Sequence, residues 1–160
     1  MVTVSDVMKQ PVVTVSMDET VQRLRELFER QRFHHLIVTE KGRIVGVISD
    51  RDLLKAISPF AGTPSERRMD ESCLKRRAHQ IMSRANESVG PDASIEEASR
   101  VMLEQNISCV PVVNGHSRCV GILTLRDVCR WAIETCLPRF EAATGGASGE
   151  DAEDAEREAA

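Results

Sequence analysis

Tyrosine is missing from this sequence, and aromatic residues as a class reach only 3% of its 160 positions, as four Phe and one Trp. The core must therefore be aliphatic, drawn from 17 Val, 9 Ile and 10 Leu. The same shortage disfavours a single-stranded nucleic-acid binder that stacks bases on aromatic platforms. No apolar run approaches the roughly 18 residues that a membrane-spanning helix needs, so an integral membrane protein is not expected. The first residues, Met1-Val2-Thr3-Val4-Ser5-Asp6, carry neither a basic flank nor an apolar signal core, which gives no sign of export. The five cysteines, Cys73, Cys109, Cys119, Cys129 and Cys136, are odd in number and form no C-x-x-C pair. A reduced, cytoplasmic compartment is the expectation, and without convergent Cys and His spacing no metal site is expected. G-x-S-x-G, the P-loop and H-E-x-x-H are absent as well, so the chain reads as a non-enzyme without catalytic residues.

What is present is the composition of a soluble globular chain, 41% hydrophobic and 29% charged, with a net charge of −4. That charge is unevenly placed. Residues 141–160 hold seven acids and one Arg, whereas residues 1–140 hold 20 basic and 18 acidic groups. The tail, 138–160, has almost no apolar surface to offset its ordering entropy and is expected to be an acidic, disordered, solvating segment.

The rest of the chain is a duplication. A shift of 74 residues places Val7-Met8 on Ile81-Met82, Asp18 on Asp92, Thr20-Val21 on Ser94-Ile95, and Leu36-Ile37-Val38 on Val110-Pro111-Val112. One extra residue near Asn114–Arg118 then brings Gly46-Val47-Ile48-Ser49-Asp50-Arg51-Asp52 onto Gly121-Ile122-Leu123-Thr124-Leu125-Arg126-Asp127. Each copy reads as a helical turn, a short extended piece, a helix, two strands and a second helix. The pieces are Ser5–Met8 or Ala78–Met82, then Val12–Val15 or Glu87–Val89. The first helix is capped by Thr20 or by Ser94, where Ser94-Ile95-Glu96-Glu97 fits a capping box. Val21, Leu24 and Phe28, like Ile95, Ala98 and Met102, recur at helical spacing. The strands are Leu36–Thr39 with Arg43–Ser49, and Cys109–Val113 with Cys119–Thr124. The closing helices are Arg51–Ile57 and Arg126–Leu137. One copy buries too little surface to stand alone, so the expected fold is α+β, with two β-α-β-β-α repeats related by a pseudo-two-fold axis and sharing one core. The boundaries are 3–58 and 78–137. Residues 59–77 form a polar, basic connector that reads as solvated chain, and its arginines give only weak grounds for nucleic-acid binding.

The repeated Ser/Thr-x-x-Asp at a strand end is where chemistry concentrates. It places a hydroxyl and a carboxylate one helical turn apart, beside free N–H groups. Such an Asp can accept hydrogen bonds from the cis diol of a ribose, while hydroxyl and N–H groups favour a phosphate. The competing reading is a plain capping box, which needs the same two residues at the same spacing.

On Gly46-Val47-Ile48-Ser49-x-x-Asp52, Gly121-Ile122-Leu123-Thr124-x-x-Asp127, the Pro91-Asp92-x-Ser94 helix start and the order of elements, residues 3–137 resemble a tandem pair of CBS domains, named after cystathionine beta-synthase. The resemblance implies a free-standing regulatory module that binds an adenosine-containing ligand: AMP, ADP, ATP, NAD or S-adenosylmethionine. It implies that Asp52 and Asp127 hold ribose hydroxyls in two separate clefts, with Ser49 and Thr124 facing phosphate or ribose. Thr14 and Ser88 would border the adenine, and Ile37 and Pro111 with neighbours such as Cys109 would offer backbone contacts. Arg126 beside Asp127 is a further candidate contact, and His34, His35, Arg32 and Arg51 give the first copy more positive groups for a polyphosphate. The first copy departs from the family pattern in having Ile37 where the second has Pro111. The resemblance also implies a homodimer formed through helices, with Trp131 as a candidate anchor, and an unidentified regulated protein. A ligand-independent interaction module is the alternative from a different class.

Overall fold

A helix, an antiparallel hairpin and a second helix recur in the two halves of the chain. The computed structural model describes residues 2–136 other than Arg32, Gly62 and Glu66, and omits the side chains of Met69 and Cys136. The expected acidic tail, Leu137 and Arg32 therefore lie outside the described residues. In the first half, helix α2 (Val21–Arg30) begins at Thr20, whose hydroxyl accepts the Arg23 amide at 3.2 Å, and turns Val21 and Leu24 fully inward. Its counterpart α5 (Ile95–Glu104) begins at Ser94, whose hydroxyl accepts the Glu97 amide at 3.1 Å, and buries Ile95, Ala98 and Met102. Only the hydroxyl half of the capping box expected at Ser94 forms among the described contacts. The N-terminal segment lies along this cap instead, with the Ile95 amide donating to the Val2 carbonyl at 3.3 Å and the Val4 amide to that of Ala93 at 2.9 Å.

Strands β2 (His35–Glu40) and β3 (Arg43–Ser49) form the first hairpin, and β5 (Cys109–Val113) and β6 (Cys119–Thr124) the second. Lys41 and Gly42 turn the first at φ 50° and 80°, the mirror-image turn whose twist matches the flanking strands. The second connection, 114–118, is longer and is held by the Asn114 side chain, which accepts the amides of His116 at 3.0 Å and Arg118 at 3.1 Å. Helices α3 (Asp50–Ala56) and α6 (Leu125–Trp131) follow. The closing helix expected from Arg126 onward thus starts one residue earlier, and it widens to π winding over Ala132–Cys136.

The two repeats exchange their leading segments. Strand β1 (Thr14–Ser16) runs parallel to β2 within its own repeat. The short β4 (Ser83–Arg84), which opens the second repeat, instead adds to β3 of the first, completing a four-stranded sheet in the order β1-β2-β3-β4. In the same manner Lys9 of the first repeat pairs with Ile122 of β6, while Val89 bridges Val112 of β5 in place of the longer extended piece expected at Glu87–Val89. Helix α1 (Val4–Val7) follows this exchange: Val4 is fully buried with Ile95, Val110 and Leu123 of the second repeat. Ala78, in the 3₁₀ turn Ala78–Gln80, is likewise buried with Val21, Leu24 and Ile48 of the first. A third cluster, Ile37, Cys109 and Ile122, joins the repeats across the seam. The shared core is therefore two repeat cores, each completed by the other repeat, with a bridge between them.

Part of the connector is helical, while most of its described residues are exposed. Helix α4 (Arg68–Leu74) forms within it, with Asp70 accepting the Arg67 amide at 2.8 Å and the Ser58 hydroxyl at 2.5 Å. Leu74 packs on the first repeat's core, and the Val21 amide donates to the Arg76 carbonyl at 2.9 Å. Among the described residues no helix is long and apolar enough to cross a membrane.

Candidate functional site

The exchange of segments builds a cleft at the junction. A cavity of about 280 Å³ is lined by His35, Val47, Ser49 and Asp52 of the first repeat and, from the second, by the stretch 83–87 and by residues including Ile107, Cys109 and Pro111. Its size is at the small end of ligand pockets, which run from roughly 300 Å³ upward. Asp52 sits on the first turn of α3. Its Oδ2 accepts the Ser49 amide at 2.9 Å and the Ser49 hydroxyl at 2.6 Å, while the Asp52 amide donates to Ser49 Oγ at 3.2 Å. This is a complete capping box, and it occupies one carboxylate oxygen. The other, Oδ1, takes no hydrogen bond or ion pair from the described residues, so capping and ligand binding do not compete for the same atom.

The equivalent group in the second repeat is arranged differently. Asp127 is only 4% exposed. Its Oδ2 accepts the Thr124 amide at 3.1 Å and the Thr124 hydroxyl, and its Oδ1 lies 3.3 Å from Lys9 Nζ. Asp127 does not line the junction cleft.

The electrostatics of the junction centre on a histidine pair. His34 Nδ1 lies 2.8 Å from Asp50 Oδ2, and its Nε2 is 3.5 Å from Arg126 Nη1 of the other repeat. Partial burial would raise the Asp50 carboxyl, but the bonds from His34 and from the Arg51 amide at 2.8 Å outweigh it and hold the group below the ordinary value. His35 is lowered too, but by burial rather than by hydrogen bonds. Its desolvation in the cleft wall lowers its pKa, the negative charge of Asp50 opposing, and its Nε2 lies 3.3 Å from the Ser108 hydroxyl. Burial, assisted by the charge of Asp52, raises the Cys109 thiol to about 12, so it lines the cleft as an apolar group.

Of the residues singled out by sequence, the structure brings His35, Ser49, Asp52, Cys109 and Pro111 to one cleft. Thr124 and Asp127 stand together with Lys9, and Arg126 is exposed and directed at His34. Ile37 is fully buried in the seam, its amide 3.4 Å from the Val13 carbonyl. Ser88 is exposed next to the lining residue Glu87. Thr14 lines a different cavity, of about 390 Å³, with Lys41, Arg43, His116 and Arg118 of the two hairpin turns. Ser83, Arg84 and Asn86 of the cleft were not among the expected residues. They belong to the second repeat by sequence and to the first repeat's cleft in space, and only the segment exchange reveals that. Among the described residues no group of His, Cys, Asp and Glu is placed to hold a metal ion.

A family model described as CBS domain matches residues 4–59 and 78–134. The chain is 30% identical over 126 residues to a homoserine O-acetyltransferase of Methanosarcina acetivorans, spanning 78% of this chain but 21% of that protein. Two further curated relatives, both from Methanocaldococcus jannaschii, are matched over 47% and 22% of their lengths, so the chain spans at most about half of these first relatives. Among solved structures it resembles the CBS domain pair of protein MJ0100 in complex with 5′-methylthioadenosine and S-adenosyl-L-methionine, at 25% identity and TM-score 0.65, over 81% of this chain and 98% of that one. It also resembles CBSX2 of Arabidopsis thaliana in complex with AMP, at 27% identity and TM-score 0.65, over 82% of this chain and 96% of that one. Two matched segments coincide with two halves that fold alike and complete each other's cores, and the chain accordingly belongs to the CBS domain family as a tandem pair.

Proposed function

We propose that the chain is a regulatory sensor of an adenosine-containing ligand, bound in the Asp52 cleft. The observation that carries this reading is the unpartnered Oδ1 of Asp52 at a cleft whose walls come from both repeats. A ribose diol donates to that oxygen while Oδ2 stays in its cap. Val47, Ile107 and Pro111 offer aliphatic surface to the adenine, and Arg84 offers a cation to a phosphate or to the carboxylate of S-adenosylmethionine. AMP in CBSX2, and 5′-methylthioadenosine and S-adenosylmethionine in the MJ0100 pair, support this ligand class. Because the ligand touches both repeats, its binding favours one relative arrangement of them, by as much as its affinities for the two arrangements differ.

A separate chain, or a second copy of this one, reads the change. Trp131 packs against the second repeat's core, so internal packing accounts for it, and the large apolar residues left outward on described helical segments are Leu54, Leu103 and Ile133. The test is calorimetric titration of AMP, ADP, ATP, NAD and S-adenosylmethionine into wild type and Asp52→Asn. Saturable binding that weakens more than tenfold in the variant is expected. Its folding survives, because a helix cap is worth about 1 kcal/mol. Absence of binding across the panel would leave a ligand-independent interaction module as the better account.

A further inference from the structure

We infer that Lys9 decides which of the two Ser/Thr-x-x-Asp motifs accepts a ligand, by occupying Asp127. This rests on the adenosine reading above and deepens it. The duplication supplies an internal comparison: the shift that places Met8 on Met82 places Lys9 on Ser83. Both residues ride on exchanged segments, and both reach the other repeat's Ser/Thr-x-x-Asp motif. Ser83 is short, lines the Asp52 cleft and leaves Asp52 Oδ1 without a partner. Lys9 is long, and its ammonium sits 3.3 Å from Asp127 Oδ1.

Three features make Lys9 a standing occupant rather than a passing one. Its backbone is pinned to β6 on both sides, with the Lys9 amide donating to the Ile122 carbonyl at 2.9 Å and the Ile122 amide to the Lys9 carbonyl at 3.3 Å. Asp127 is buried to 4% exposure, so its charge is costly without a counter-ion, and Lys9 is the one cation paired with it among the described residues. Thr124 already engages the other carboxylate oxygen. A ribose approaching Asp127 must therefore displace the ammonium and replace an ion pair with neutral hydroxyl donors. At Asp52 the same hydroxyls meet an oxygen that needs no such exchange. The chain thus takes one adenosine-containing ligand, at Asp52, although it carries the motif twice.

The test is binding stoichiometry by calorimetry of the full chain, with AMP and S-adenosylmethionine as probes. Lys9→Ser installs in one repeat the residue of the other. Both this variant and Lys9→Ala, the second variant, leave the buried Asp127 without its counter-ion, so circular dichroism checks that each is folded before titration. Wild type is expected to bind one equivalent and Lys9→Ser two, with Asp127→Asn in the Lys9→Ser background returning the count to one. Two equivalents in wild type, or one in both lysine variants, would overturn the role of Lys9 while leaving the adenosine reading intact. Weaker total binding in Lys9→Ser would also overturn it, assigning Lys9 to ligand contact. No binding in any of these proteins would overturn the inference and the adenosine reading together.

Discussion

Asp52 and Asp127 cap their helices in the same way, each with Oδ2, and differ in what Oδ1 meets. A capping box and a ligand carboxylate are therefore two uses of one side chain, and the sequence pattern alone could not separate them. His35 illustrates the same dependence on surroundings. Burial lowers its pKa from 6.5, so the folded chain resists a proton that the unfolded chain accepts. The stability it contributes is whole above about pH 6.5 and declines as pH falls from there towards the depressed folded value. Urea unfolding midpoints followed from about pH 8 to about pH 5 should show that decline, and His35→Gln should flatten it. An unchanged slope in the variant would mean that other groups govern the acid limb.

At the scale of elements, the exchanged segments depend on two glycines. A Cβ at Gly46 would lie 2.8 Å from the Ser83 carbonyl oxygen and 2.5 Å from Met82 Sδ, whereas at Gly121 the nearest backbone atom, the Lys9 carbonyl oxygen, would be 3.2 Å away. The Gly46 contact is with backbone that cannot step aside, while the Gly121 overlap is mainly with the flexible Met8 side chain. Gly46→Ala should therefore destabilise by about 1–3 kcal/mol, as overpacking does. Gly121→Ala should cost less. Chemical denaturation of both variants checks the order, and equal losses would count against a rigid β3–β4 contact. The Gly46 variant also displaces the segment that carries Arg84 into the cleft, so its ligand affinity should fall with its stability. Helix α4 belongs to this scale too: its sequence is mostly polar, its own Leu74 packs on the first repeat's core, and the Ser58 hydroxyl and the bond from the Val21 amide to the Arg76 carbonyl come from chain outside it.

For the whole molecule, the exchange makes the repeats mutually dependent. Val4 is fully buried in the core of the second repeat although it opens the first. Val4→Ala should cost about 2 kcal/mol, typical of a truncated core side chain. Trp131 packs against that same core, so its fluorescence should shift in the variant despite the distance along the chain. An unaltered emission spectrum with lost stability would place the damage in the first repeat and contradict the exchange. Relative motion of the repeats, the output proposed for ligand binding, passes through the seam of Ile37, Cys109 and Ile122, which is close-packed and apolar. Such a seam favours discrete arrangements over continuous deformation.

Periodicity, caps and turn chemistry are local properties, and the sequence by itself determined what depends on them: the two α/β repeats, the strand pairs, the caps at Thr20 and Ser94, and the two Ser/Thr-x-x-Asp motifs with their likeness to the CBS family. Tertiary structure alone decided which segment completes which repeat, because Val4 and Ala78 have the same apolar character whichever core they enter. It also decided that His35, Asp52, Arg84 and Pro111 meet in one cleft while Thr14 and Ile37 lie elsewhere. The difference between the two aspartates is of the same kind. A lysine beside a methionine near the start of the chain carries no sign of its target, and only the crossing of one repeat's leading segment to the other brings its charge to the buried Asp127.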